Sequence, residues 1–183
     1  MRVAVFGGSF NPPHVAHVLA CAYVLGLGVV DRILVVPVFR HPFDKQLAPF
    51  ADRLAMAQLA LGWLPQVAVS DVEQDLEAPS LTLRTLRHLS TEHPDWSLRL
   101  MVGSDVLFDA PKWHAFDDVV SLAPLLVVGR VGHPHPQAPA AILPDVSSTE
   151  VRALLRSEPE GARLAALVPR RVLDHALGRD LYR

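Results

Sequence analysis

Short apolar runs and longer apolar stripes take turns along this chain. Arg2 to Phe6 is a valine-rich run closed by Gly7-Gly8, the pattern of a short buried strand. A helix is expected directly after it: Asn11 suits an N-cap, Pro12 the first helical position, and the apolar positions from Val15 to Leu27 supply a buried face. Ile33 to Pro37 predicts a second strand, Ala51 to Trp63 a second helix, and Val67 to Val69 a short third strand. Leu81 to Glu92 has a helical pattern, Ser97 to Val102 reads as a strand ending at Gly103, and Leu125 to Val128 as another after a short helical stretch. Ser147 to Arg156 and Pro169 to Leu177 are further helices, and the proline-rich segment from Gly132 to Pro139 is a loop. Strands and helices in this alternation predict an α/β fold, a doubly wound parallel sheet with helices on both faces.

Composition sharpens the picture. A length of 183 residues, half of them hydrophobic and a fifth charged, predicts one globular domain spanning residues 1 to 183. Met1 to Phe6 lacks the length of a signal peptide, and the apolar stretch Val18 to Val30 is shorter than the ~20 residues that cross a bilayer. A lone cysteine, Cys21, in an apolar helical pattern fits packing in a reducing cytoplasm. The formal charge of −2 argues against a broad nucleic-acid surface, so any anion site must be local. Only Lys45 and Lys112 are lysines while arginine is abundant, which draws attention to Lys45.

The segment Gly7-Gly8-Ser9-Phe10-Asn11-Pro12-Pro13-His14-Val15-Ala16-His17 lies where doubly wound sheets bind ligands, beyond the carboxyl end of a strand. Its glycines let a phosphate approach the backbone, and the following helix start offers N–H donors. Neither a P-loop nor a dinucleotide fingerprint is present. His14 and His17, three positions apart, share one helical face and can converge on one anion. Read from the residues alone, the pair serves equally as two ordinary surface histidines beside a capped helix, while a metal would need ligands that no tight cluster provides. Further on, Ser147 with Glu150 makes a capping box, leaving the Ser148 and Thr149 hydroxyls near a helix start and Arg152 within reach. Gly103-Ser104-Asp105 ends a strand at the binding edge of the sheet, where a plain turn is the alternative.

Gly8 to His17 resembles the G-x-F-x-P-x-H-x-G-H signature of the nucleotidyltransferase superfamily that includes nicotinate-nucleotide and pantetheine-phosphate adenylyltransferases, with Ala16 in place of its glycine. Val146 to Arg152 is similar to the superfamily's I-S-S-T-x-I-R motif, and Gly103 to Asp105 to its G-[AS]-D element. Three more segments resemble the nicotinate branch: Pro37 to Lys45, with Asp44 where histidine is usual; Pro79 to Leu86, with Leu81 for tyrosine and Arg84 for aspartate; and Leu181-Tyr182-Arg183. Trp113 stands where that branch stacks an aromatic ring on the pyridine, whereas Trp63 and Trp96 read as packing residues and Arg53 as a structural arginine of the second helix.

The resemblance implies a Rossmann-like adenylyltransferase of NAD biosynthesis that moves the adenylyl group of ATP to nicotinate mononucleotide. It implies catalytic roles for His14, His17, Lys45 and Arg152. An ATP site would comprise Gly8, Ser9, Phe10, His14, His17, Gly103, Asp105, Ser147, Ser148, Thr149 and Arg152. An acceptor site would comprise Ser9, Lys45, Thr82, Arg84, Thr85 and Trp113. No protein metal ligand is expected, since Mg²⁺ would ride mainly on the ATP phosphates. The partners implied are ATP and a mononucleotide acceptor, with neither nucleic acid nor membrane, and a homo-oligomer is compatible. Two alternatives stand beside this expectation. Another acceptor, nicotinamide mononucleotide or phosphopantetheine, is one, although His14 argues against phosphopantetheine, whose branch usually has threonine there. A nucleotide-binding sensor without catalysis is the other, motivated by Ala16, Asp44 and Arg84.

Overall fold

Alternation along the first strand sets up two cores. In a computed structural model, which describes residues 1–41, 46–109, 112–159 and 161–183, strand β1 (Arg2–Gly8) sends Val3 and Val5 to one face and Ala4 to the other. Side chains of a strand alternate with period two, so a central strand covered on both faces must be apolar throughout. Around β1 lie β2 (Arg32–Pro37), β3 (Val67–Val69), β4 (Ser97–Gly103) and β5 (Leu125–Val128), in the order β3-β2-β1-β4-β5. Every pairing is parallel, with Val3 opposite both Arg32 and Leu98.

Helices α1 (Val15–Gly26), α2 (Phe50–Leu61), α5 (Ser148–Ser157), α6 (Ala162–Leu167) and α7 (Arg170–Gly178) bury Val24, Met56, Val151, Leu164 and Val172 against the Ala4 face. On the Val3 face, α3 (Thr82–Glu92) and α4 (Phe116–Leu122) bury Leu83, Leu86 and Val119. At about 1.5–3 kcal/mol for each fully buried aliphatic side chain, these two layers dominate the stability of the fold. The strand order reverses direction between β1 and β4, and a crevice opens at such a switch point beyond the carboxyl ends of the strands. Gly8 and Gly103 are the last residues of the two strands that flank it.

Two expectations are corrected, and one helix was not foreseen. Helix α1 begins at Val15 with His14 as its cap, not at Pro12 with Asn11 as cap. The Asn11 side-chain oxygen instead accepts from the Ala48 amide at 3.0 Å and the Tyr182 hydroxyl at 3.0 Å, so tertiary donors have claimed the group that a local rule assigns to capping. Helix α6 escaped notice because its six residues bury only Leu164. Trp63 is 64% exposed rather than packed, although its indole N–H donates to the Ala60 carbonyl at 2.8 Å. Trp96 does pack, on the second core and face to face with His93 at 3.7 Å.

Candidate active site

The loop after β1 holds the two histidines in contact. Phe10 turns the chain with φ of +46° and buries its ring beneath Gly8, where a Cβ would come within 3.3 Å of that ring. The His14 backbone N–H donates to Nδ1 of His17 at 3.1 Å, and the two imidazoles lie 3.9 Å apart between centroids. That bond fixes His17 with its proton on Nε2, a donor directed away from its own helix. Nδ1 of His14 is buried and has no hydrogen-bond partner among the described residues, a cost that a ligand can remove. Burial pulls the His14 imidazole down to about 2, helped by His17 and Arg130, and pulls His17 down to about 4, helped by Arg130. Both rings are therefore neutral N–H donors in the ligand-free protein. Ala16 is buried on the core side of α1, where its methyl group joins the apolar cluster.

Helix α5 docks onto this loop. Ser147 caps it as expected, accepting from the Glu150 amide at 3.1 Å. The Ser148 hydroxyl donates to the Pro12 carbonyl at 2.9 Å, while Arg152 donates to the Asn11 carbonyl at 2.9 Å and to Thr149 Oγ1 at 3.2 Å. Ser148 thus ties the loop, and the donors left for an anion are the first amides of α5 together with the remaining N–H groups of the Arg152 guanidinium, which carries five.

At the end of β4, the Asp105 carboxylate folds back over Gly103, where an added Cβ would sit 2.3 Å from Oδ1 and would have to displace it. Asp105 is held by Arg130, just past β5, at 2.7 Å. Arg130 also donates to the Val146 carbonyl ahead of the α5 cap, and its backbone N–H donates to the buried Ser104 hydroxyl at 3.0 Å. One arginine therefore joins the aspartate to the α5 motif, and its charge also acts on the histidine pair. Sequence reasoning missed it.

Beside the loop after β1, a cavity of about 450 Å³ opens along the sheet edge toward α3. Ser9, Thr82, Thr85 and Trp113 line it, as do Gly8 and Gly103. Lys112, Glu73 and His114 also line it and were not among the expected residues. Lys112 forms an exposed ion pair with Asp109 at 2.7 Å. Glu73 is buried, accepting from the Thr85 hydroxyl at 3.0 Å and the Phe39 amide at 2.9 Å, so it braces one wall. Arg84 points elsewhere: its guanidinium donates to the carbonyls of Glu77 and Pro79 and holds the loop before α3. Arg84 and Thr85 amides both donate to the Leu81 carbonyl, which leaves Thr82 and Leu83 as the helix-start amides without an intrahelical acceptor. Arg53 is structural, its buried guanidinium donating to the carbonyls of Ala48, Ser9, Val38 and Phe39. Lys45 and Asp44 lie outside the described residues. Among the described residues, no group of three His, Cys, Asp or Glu side chains could hold a metal ion.

The model of the cytidylyltransferase-like family matches residues 5–154 of the chain. A probable nicotinate-nucleotide adenylyltransferase of Anaeromyxobacter dehalogenans is 47% identical over 185 positions, covering 100% of this chain and 97% of that protein. One of the same description from Thermus thermophilus is 34% identical over 189 positions and covered in full by both. Among solved structures, Plasmodium falciparum nicotinic acid mononucleotide adenylyltransferase complexed with NaAD superposes with a TM-score of 0.84 at 20% identity, over 99% of this chain and 97% of that one, which shows the shared fold.

Proposed function

The chain belongs to the cytidylyltransferase-like family and, within it, to the nicotinate-nucleotide adenylyltransferases, and we propose that it transfers the adenylyl group of ATP to nicotinate mononucleotide, giving deamido-NAD and pyrophosphate. The single observation that carries the assignment of the site is the buried, partnerless Nδ1 of His14 beside His17 at the switch point of the sheet. A buried polar atom without a protein partner suits an anion.

The acceptor's phosphate oxygen is already anionic near neutral pH, so no base is needed. It attacks the α-phosphorus of ATP; the new P–O bond forms as the bond to the bridging oxygen of the β-phosphate breaks, and pyrophosphate leaves with the electron pair. Catalysis is then positioning plus stabilisation of charge. His14 and His17 donate to the α-phosphate. Arg152 and the first amides of α5 receive the β- and γ-phosphates, Ser147, Ser148 and Thr149 shape that helix start, and Lys45 adds a further cation. Asp105, aimed by Arg130, and Gly103 take the ribose. The substrate is MgATP: the groups around the loop are imidazoles, hydroxyls and arginine rather than a cage of carboxylates, which suits a magnesium ion carried by the triphosphate.

Nicotinate mononucleotide would occupy the neighbouring cavity, its ring against Trp113 and its carboxylate facing the open amides of Thr82 and Leu83 at the start of α3. Ser9 lines the junction between the two substrates. No helix among the described residues is long and apolar enough to cross a membrane, and a buried free Cys21 fits our placement of the enzyme in the cytoplasm. Pyrophosphate release from MgATP, scored with nicotinate mononucleotide, nicotinamide mononucleotide and phosphopantetheine, tests the proposal. The expected result is a higher kcat/KM for the nicotinate form. A preference for the amide would move the chain to another acceptor, and ATP binding without turnover on any of the three would make it a sensor.

A further inference from the structure

Beyond α7 the backbone takes an unusual path. Asp180 and Tyr182, neither of them glycine, adopt φ of +59° and +71°. L-residues enter this region at a cost, and such conformations persist where surrounding contacts hold them. The contacts are present: the Asp180 amide donates to the Leu177 carbonyl at 3.2 Å and the Leu181 amide to the Ala176 carbonyl at 2.9 Å, while Leu181 and Tyr182 pack on the first core. The outcome is that the Tyr182 hydroxyl reaches a residue of the phosphate loop 171 positions away, donating to Asn11 Oδ1 at 3.0 Å.

Asn11 is a junction. It is 2% exposed, its side-chain oxygen also accepts from the Ala48 amide, and its backbone carbonyl accepts from the Arg152 guanidinium at 2.9 Å. The other hydrogen bond of that guanidinium among the described residues is to Thr149 Oγ1 on its own helix, so the Asn11 carbonyl is its one tether outside α5. Burial pushes the phenol of Tyr182 upward, away from ionisation, so the hydroxyl keeps its proton to donate.

We propose that Tyr182 is a positioning residue for ATP: its hydroxyl fixes Asn11, and Asn11 fixes the Arg152 guanidinium against the triphosphate. This rests on the assignment of Arg152 to the ATP phosphates above. The mononucleotide cavity does not include Asn11, Arg152 or Tyr182 among its lining residues. A defect in this chain of contacts therefore falls on one substrate only.

The test uses Tyr182→Phe, which keeps the ring in the core and removes only the hydroxyl, beside Arg152→Ala, each checked for folding by equilibrium denaturation. For Tyr182→Phe the KM for MgATP should rise about three- to tenfold, the range set by one neutral hydrogen bond, while the KM for the mononucleotide stays within about twofold. A second variant lacking Tyr182 and Arg183 should show the same split, more strongly. If Tyr182→Phe is folded and shifts neither KM, or shifts both alike, while Arg152→Ala weakens ATP, the positioning role is overturned and the role of Arg152 stands. If Arg152→Ala leaves ATP unaffected, the assignment of Arg152 falls and the inference falls with it.

Discussion

Two histidines held neutral by burial make the ligand-free protein acid-sensitive in a predictable window. A group whose folded pKa lies below its unfolded value contributes stability that is intact above the unfolded pKa and is lost as pH falls toward the folded one. For His14 and His17 the unfolded value is 6.5 and the folded values are about 2 and about 4, so the loss begins below about pH 6.5 and runs on past pH 5 for both. Each pH unit inside that window removes about 1.4 kcal/mol per histidine, so at about pH 5 each has cost about 2 kcal/mol and the pair about 4. That is a large share of the ~5–15 kcal/mol that holds a typical domain together. Urea denaturation at steps between about pH 7 and pH 5 measures it, comparing the natural chain with His14→Gln, His17→Asn and the double variant, so that every other titrating group cancels in the difference. The double variant should lose about 4 kcal/mol less than the natural chain over this range, and each single variant about 2 less. Equal acid slopes in all four proteins would refute the buried neutral pair. Adding MgATP supplies negative charge beside both rings and should flatten the slope of the natural chain, because the ligand favours their protonated forms.

Three further outcomes follow from the same geometry. Replacing His17 by Ala should lower kcat by on the order of a hundredfold or more, the cost of one transition-state donor, with the circular dichroism spectrum unchanged. Gly103→Ala places a Cβ 2.3 Å from Oδ1 of Asp105 and must displace that carboxylate, so titration calorimetry should show weaker ATP binding while the melting temperature changes little. Glu73→Ala strands the Phe39 amide and leaves the Thr85 hydroxyl only the longer bond to the Leu81 carbonyl, and it should cost about 2 kcal/mol in denaturation and raise the KM of the mononucleotide more than that of ATP.

The strands were legible because a strand covered on both faces has to be a nearly unbroken apolar run, and Val67 to Val69 was readable even at three residues. The cap of α5 was legible for a different reason: Ser147 and Glu150 interact within one turn, so nothing distant can reassign them. Asn11 shows the converse. Its capping signal is local, but donors 37 and 171 positions away satisfied the same oxygen, and the helix start moved to His14. Arg84 followed the same course, since a helix-start arginine that could face a carboxylate instead closes the loop at Glu77 and Pro79.

Within the site, the residues read from motifs and the residues missed differ in how far away their partners are. His14 and His17 meet across three positions and were visible as a pair. Arg130 meets Asp105 across 25 positions and Val146 across 16, and Glu73 meets Phe39 across 34, distances over which spacing carries no signal. Topology carries one. In a doubly wound sheet ligands gather beyond the carboxyl ends of the strands, so the first polar residues after each strand are candidates whatever motif surrounds them. Applied to this chain, that rule leads from β1 to Ser9, from β4 to Ser104 and Asp105, and from β5 to Arg130, two positions past Val128. From β3 it leads to Ser70 and Asp71, and Glu73 follows in the turn at Val72–Gln74. Arg130 stands at a strand end that the apolar pattern had already located. The information was present in the order of the elements rather than in the residues beside them.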